Sequence, residues 1–417
     1  MKIAPVKRFA SGLLSLSLLV PQGLLAQTVS TEQLMETIKK LEARVAELEG
    51  KTTPAASPSP PAQKAADSGA TTPPAPTNEN SWAKGMSWEA MVDGYYGYNW
   101  NRPANRTNPL RNFDTSHNQF SLNLAELVIQ KKAEPVGFRI DLDFGPATEI
   151  VHAAEPGGVN TFHNIQQAYF TYVAPVGKGL TFDFGKFVTP HGAEVIETRD
   201  NFNYSRSLLF AWAIPYYHFG LRTSYPVTDK FAVNFHLVNG WNNVVDNNTG
   251  KTVGTGFSWA LHKKLTWIMN YMAGPEQANN NDNWRHLWDT TVSYAASDKV
   301  TFVGNYDYGL ERIGPNSNVH WTGAAGYMKI QANPWFALIP RLEIFNDHDG
   351  FTTTVGQRIK EFTMTTEFKL HPNIVSRLEY RRDWSDKEFF ARGSQGTLVK
   401  NQDTALAGLF FTFGSPK

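Results

Sequence analysis

Six titratable residues, His191, Glu194, Glu197, Arg199, Asp200 and Arg206, crowd into a stretch of the chain, 188–214, that lacks the periodicity of a strand. Several kinds of chemistry could use such a set. His191 and Glu194 form a His-x-x-Glu pair, but an isolated pair of this type in a loop is more often surface chemistry than metal ligation. Hydrolysis of the common kinds would want a G-x-S-x-G elbow or an H-E-x-x-H helix, and the chain has neither. Asp347-His348-Asp349-Gly350 could touch calcium, yet it lacks the remaining oxygen ligands of a calcium loop and suits a turn. No catalytic residue, metal site or cofactor is therefore expected. What remains is electrostatic: charges on a long loop can sort solutes if that loop narrows a water-filled passage.

A second set of charges lies inside period-two runs. Arg139, Asp183, Arg222, Arg341, Glu343, Lys369, Arg377, Glu379 and Arg381 are placed by alternation on the wet face of their segments. The signs are mixed, and most of these groups are expected to be wall-lining pairs.

The elements that must carry these residues begin after Trp82. Phe138, Ile140, Leu142 and Phe144 alternate with Arg139, Asp141 and Asp143; Phe231, Val233, Phe235 and Leu237 alternate with Asn234 and His236. One face of each run is greasy and the other polar, as in a half-buried strand. That pattern alone also fits a soluble sandwich, so the connections decide. Tight links at 133–135, 175–179, 226–229, 262–264, 297–298, 333–334 and 371–372 alternate with long polar ones at 100–116, 146–163, 188–214, 242–250, 275–284, 311–318, 347–358 and 385–402. Short turns on one side and long loops on the other are what an up-and-down transmembrane barrel needs. About sixteen strands are expected, enough to enclose an aqueous channel. Aromatic residues make up 13% of the chain. Tyr95, Tyr96, Tyr98, Trp241, Trp267, Tyr306, Tyr308 and Trp384 fit the girdles at the two membrane interfaces. The last run alternates Ala405, Ala407, Leu409, Phe411 and Phe413.

The beginning of the chain reads as export machinery. Lys2, Lys7 and Arg8 precede an apolar run, 9–20, and a cleavage site after Ala26, so 1–26 is expected to be a signal peptide. In 27–50, Leu34, Ile38, Leu41, Val45 and Leu48 form a heptad seam, a coiled-coil stalk too short to stand alone. Arg44 and Glu49 frame its end as in short trimeric coiled coils, so a homotrimer is preferred over a dimer. A Pro- and Ala-rich linker, 51–81, separates stalk from barrel, 82–417. The chain has no cysteine and a formal net charge of +1. The first suits passage through an oxidising compartment, and the second gives no footprint for nucleic acid. The expected partners are outer-membrane lipid, two further copies of the chain and, through the stalk, peptidoglycan or other periplasmic material.

The stretch Gly185-Lys186-Phe187-Val188-Thr189-Pro190-His191-Gly192-Ala193-Glu194-Val195-Ile196-Glu197, with Asn203-Tyr204-Ser205-Arg206-Ser207 and Ala213-Ile214-Pro215, resembles the OmpL-like β-barrel porin family, itself similar to the phosphate-selective porins. The resemblance covers roughly 88–413. It implies an outer-membrane channel and names no substrate; passive diffusion of small hydrophilic solutes or ions is the expected function, and no enzymatic activity is expected. A structural tether to the cell wall through the stalk is the alternative reading, and an outer-membrane hydrolase a weaker one. Read bottom-up, 188–214 is expected to fold inward and set the narrowest cross-section.

Overall fold

The computed structural model describes residues 85–155 and 162–415. The expected signal peptide, stalk and linker lie outside the described residues. Sixteen antiparallel strands close into one barrel. They are β1 (Met86–Asn99), β2 (Gln119–Lys131), β3 (Val136–Phe144), β4 (Ile165–Ala174), β5 (Leu180–Val188), β6 (Tyr217–Pro226), β7 (Phe231–Val238), β8 (Thr252–His262) and β9 (Leu265–Pro275). The circle continues with β10 (Trp284–Ser297), β11 (Val300–Gly314), β12 (Ser317–Asn333), β13 (Phe336–Asp347), β14 (Gln357–His371) and β15 (Ile374–Ser385). A small hairpin, β16 (Phe390–Arg392) and β17 (Thr397–Val399), sits in the last long loop before the closing strand β18 (Asn401–Gly414). Each barrel strand pairs with its neighbour in the chain, and β18 returns to β1 with Glu89 opposite Gly414. Closure leaves no edge strand, so the strands find their backbone partners in one another around the whole ring.

Side-chain alternation is inverted relative to a water-soluble protein. In β15, Arg377, Glu379, Arg381 and Asp383 are buried, whereas Leu378 and Tyr380 between them are exposed. In β13, Leu342 is 61% exposed while its neighbour Arg341 is 0% exposed. A charged interior and an apolar exterior are stable only where the exterior meets lipid. Among the described residues no helix is long and apolar enough to cross a membrane. The strands make the crossing.

The tight links fall where expected, at the end that carries both described termini: Met86 pairs with Lys131, beside the first turn. One expected long loop is absent. At 311–318 the strands run on until Gly314 pairs with Ser317, leaving a two-residue turn, Pro315-Asn316. Proline and asparagine suit that turn, and their polarity at a strand end had imitated a longer loop. Two expected girdle residues also sit elsewhere. Tyr95 faces inward and is 5% exposed, and Trp241 lies in a loop against Trp321. Exposed Tyr306 is on the outer face.

Candidate functional site: a loop that crosses the lumen

The connection between β5 and β6, residues 189–216, touches strands all around the barrel. Asn270 of β9 donates to the Pro190 carbonyl at 2.9 Å, and the Ala193 amide donates to Asn305 of β11 at 3.2 Å. On β13 the Arg341 guanidinium meets Glu194 at 2.9 Å. On β15 Arg377 donates to the Thr198 carbonyl at 2.8 Å, and on β1 Asp93 accepts from the Thr198 hydroxyl at 2.5 Å. Arg199 pairs with Glu126 of β2. A segment leaving from β5 can reach all of these strands only by crossing the lumen.

The loop has little regular structure, so its amides need partners that a helix or sheet would otherwise supply. Wall carboxylates supply them. Glu379 accepts from the amides of Tyr204 at 2.9 Å and Ser205 at 3.2 Å. Glu343 accepts from Leu208 at 2.7 Å and Leu209 at 2.9 Å, at the start of a single π-turn over Leu209–Ala213. The wall also makes room. A Cβ on Gly408 would come within 2.3 Å of the Tyr204 ring, and one on Gly323 within 2.7 Å of Leu209. Larger residues there would push the loop off the wall.

Apolar residues join the loop to its neighbours on the long-loop side. Leu208, Phe210 and Ile214 pack in one cluster with Leu110 and Phe113 of the β1–β2 loop and Phe390 of the small hairpin. The β1–β2 loop is itself tied down by Arg111, which bonds Asp114 at 2.5 Å and Asp383 at 2.8 Å.

The six residues singled out on the loop take different positions. Arg206 is 1% exposed and spends its guanidinium on its own loop, donating to the carbonyls of Val195 at 2.9 Å, Ile196 at 2.6 Å and Tyr204 at 2.5 Å. It staples the two arms together. Glu194 bridges the Ser207 amide, at 2.6 Å, and Arg341. His191 is buried with Nδ1 at 3.1 Å from the Thr189 hydroxyl. Glu197 is buried beside Gln166 at 3.3 Å. Arg199 lies among Glu126, Glu89 at 3.3 Å and Asp200 at 3.3 Å. Asp200 has the wettest side chain of the set, 61% exposed.

On the wall, Arg139 pairs with Asp141 at 2.9 Å and Arg222 with Asp183 at 2.8 Å, both as lining pairs. Arg341, Glu343, Arg377 and Glu379 all bond the loop, and Arg381 donates to the Arg206 carbonyl at 2.6 Å and to Asp383 at 2.8 Å. Lys369 is exposed near the short-turn end. The structure adds residues that the sequence reading passed over. Asp93 accepts from the Tyr204 hydroxyl at 2.7 Å, and Glu361 pairs with Arg341 at 3.1 Å. Lys329 pairs with Glu367 at 2.9 Å and stands 5.6 Å over the Phe202 ring. The same period-two alternation that found Arg341 would have found Glu361 and Glu367.

A closed sixteen-strand barrel with a lipid-facing apolar exterior, a charged lumen and a long loop laid across that lumen defines an outer-membrane porin. Residues 85–413 match the family described as "Putative beta-barrel porin-2, OmpL-like", and the chain belongs to that family. No curated protein matches the chain in sequence. Among solved structures it is similar to the anion-selective porin from Comamonas acidovorans, with a TM-score of 0.55 and 9% identity, over 79% of this chain and 99% of that one. OmpT of Vibrio cholerae is similar with a TM-score of 0.53 and 10% identity, over 79% of this chain and 97% of that one. The outer-membrane channel DcaP of Acinetobacter baumannii follows with a TM-score of 0.51 and 12% identity, again over 79% and 97%. Identities this low carry the fold and no more.

Proposed function

We propose that the chain is a passive, non-catalytic channel for small hydrophilic solutes, with its narrowest section set by residues 189–216. The observation that carries this reading is the set of bonds from Arg341, Glu343, Arg377 and Glu379 to that loop, because a loop so held stays in the solute's path. Its wettest charge is Asp200, which lies against the mostly buried Arg199, and Lys329 of the wall, paired with Glu367, stands over the loop's Phe202. The proposal extends to assembly: the stalk at 27–50, on the periplasmic side, supports a homotrimer and does not form the pore. The heptad seam framed by Arg44 and Glu49 supports this.

Reversal potential in a salt gradient across a planar bilayer tests the constriction. Arg199→Gln leaves Glu126, Glu89 and Asp200 without their shared cation, so preference moves toward cations. Asp200→Asn moves it the other way, and Asp349→Asn, in an outer loop, leaves it unchanged. Equal shifts from Arg199→Gln and Asp349→Asn would remove the loop from its role. Cross-linking tests the trimer: intact protein yields trimers, and deletion of 27–50 from the chain lowers trimer yield while single-channel conductance persists. The tether reading has its own support in the stalk and Pro-rich linker, and predicts that the same deletion frees the protein from sedimenting peptidoglycan.

A further inference from the structure

We propose that the lumen holds a calcium site between β2, β3 and the crossing loop, built from Glu126, Asp141 and Glu197, with Asp143 beside them, directly opposite Glu126 in the pairing of β2 with β3. The candidate ligand oxygens of Glu126, Asp141 and Glu197 all lie within 4.8 Å of one another. Two oxygens on opposite sides of a calcium ion, each about 2.4 Å from it, are separated by about 4.8 Å, so one ion can touch all three. Magnesium, at about 2.1 Å and with strict octahedral demands, fits that spread less well.

Acidic residues near one another do not make a site, and the second observation comes from oxygens left over when the protein's own bonds are complete. Asp143 is 0% exposed and neither of its carboxylate oxygens meets a protein donor. Glu126 is 3% exposed, and its Oε1 is likewise unpartnered, although its other oxygen meets Arg199. Beside them Gln166, 1% exposed, turns its amide nitrogen to Glu197 and leaves its Oε1 without a donor. An orphaned buried carboxylate is costly, and native proteins keep such groups where an ion or a proton uses them.

The charge balance points the same way. Arg139 bonds Asp141 and Arg199 bonds Glu126, but among the described residues no cation lies within ion-pair distance of Asp143 or Glu197. Asp143 and Glu197 thus have no paired cation, and Glu126 shares Arg199 with Glu89 and Asp200, so the cluster is short of positive charge and a divalent ion would supply it. All the free donor atoms are oxygens, the ligand set of a hard cation. Glu197 belongs to the crossing loop and the other carboxylates to the wall, so the ion would pin the loop at β2 and β3, away from the Arg341 anchor on β13. The site does not depend on whether the loop governs ion preference.

The test is calorimetric titration of calcium chloride into the full chain, folded in detergent from purified unfolded protein and freed of metal with a chelator. One saturable site per chain is expected, together with a rise in the unfolding temperature on adding calcium and a weaker response to magnesium. Asp143→Asn and Glu197→Gln should each weaken binding at least tenfold, while Asp349→Asn binds as wild type. Heat-modified gel mobility shows whether each variant is folded. If both site variants fail to fold, the wild-type titration decides. Absence of saturable binding to wild type, or wild-type affinity in folded Asp143→Asn, would overturn the proposal; so would unfolding that responds to pH but not to calcium.

Discussion

Replacing Arg341 by Met should loosen the crossing loop without unfolding the barrel. Arg341 is 0% exposed and bonds Glu194 at 2.9 Å, Glu361 at 3.1 Å and the Ser205 carbonyl at 2.6 Å. Methionine keeps an unbranched stem, so little cavity is left and the loss is that of the charge and its fork of donors. Removing one partner of a buried ion pair costs about 3–5 kcal/mol. The deficit falls unevenly. Glu361 on the wall keeps Arg381 at 3.7 Å, whereas Glu194 on the loop keeps only the Ser207 amide at 2.6 Å. If about 3 kcal/mol comes from loop anchoring, the loop is released roughly a hundredfold more often, since 1.4 kcal/mol is a factor of ten. Hydrogen exchange at Ser205 and Ser207 and open-channel noise in bilayers should both rise, with Arg341→Lys in between because a point charge cannot fork. Heat-modified mobility should still report a folded barrel. Wild-type exchange rates at those amides in Arg341→Met would show that the wall cation does not hold the loop.

Three further outcomes follow from other parts of the molecule. Glu276, just beyond β9, accepts from the Trp241 amide at 2.6 Å and the Thr252 hydroxyl at 2.6 Å, and burial pushes its carboxyl up to about 7, against the pull of Arg285. The folded state therefore binds the proton more tightly than the unfolded one, and stability at this loop falls as pH rises from about 4.5 to 7. Proteolysis of 239–251 should be slower at pH 5 than at pH 8, and Glu276→Gln should flatten the difference. Leu342→Arg places a cation on the lipid face of β13 and should cost about 2–4 kcal/mol in equilibrium unfolding from lipid; no change would argue against membrane contact there. Asp347 collects the amides of Phe351, Thr352 and Thr353 at 2.9, 2.9 and 2.7 Å. Asp347→Ala should thus make 348–356 a protease target while the barrel's unfolding temperature stays within a few degrees.

Much of the fold is legible in the chain because its causes are local. Alternation of Phe138, Ile140 and Leu142 with Arg139, Asp141 and Asp143 needs no partner to be seen, and the turn residues between runs set the rhythm of short and long links. The same rule misled where a local cue had two readings: Pro315-Asn316 is a tight turn, not part of a long loop, and Tyr95 is an inward aromatic rather than a membrane-interface one. The density of charge in 188–214 marked a loop that bonds strands around the barrel. It did not distinguish Arg206, which staples the loop to itself, from Asp200, which meets water.

The sequence by itself determined the strand period, the approximate number of strands, which residues share a face, and where a long, densely charged connection lies. Only the tertiary structure decided who meets whom across that channel. Glu194 and Arg341 are 147 residues apart, and Arg377 and Thr198 are 179 apart. Their meeting depends on closure: the register of all sixteen strands sets which wall positions stand at the height of the loop. Side-chain alternation repeats every two residues and is written into each strand separately, whereas the height and angle of a side chain around a closed barrel accumulate from every pairing before it.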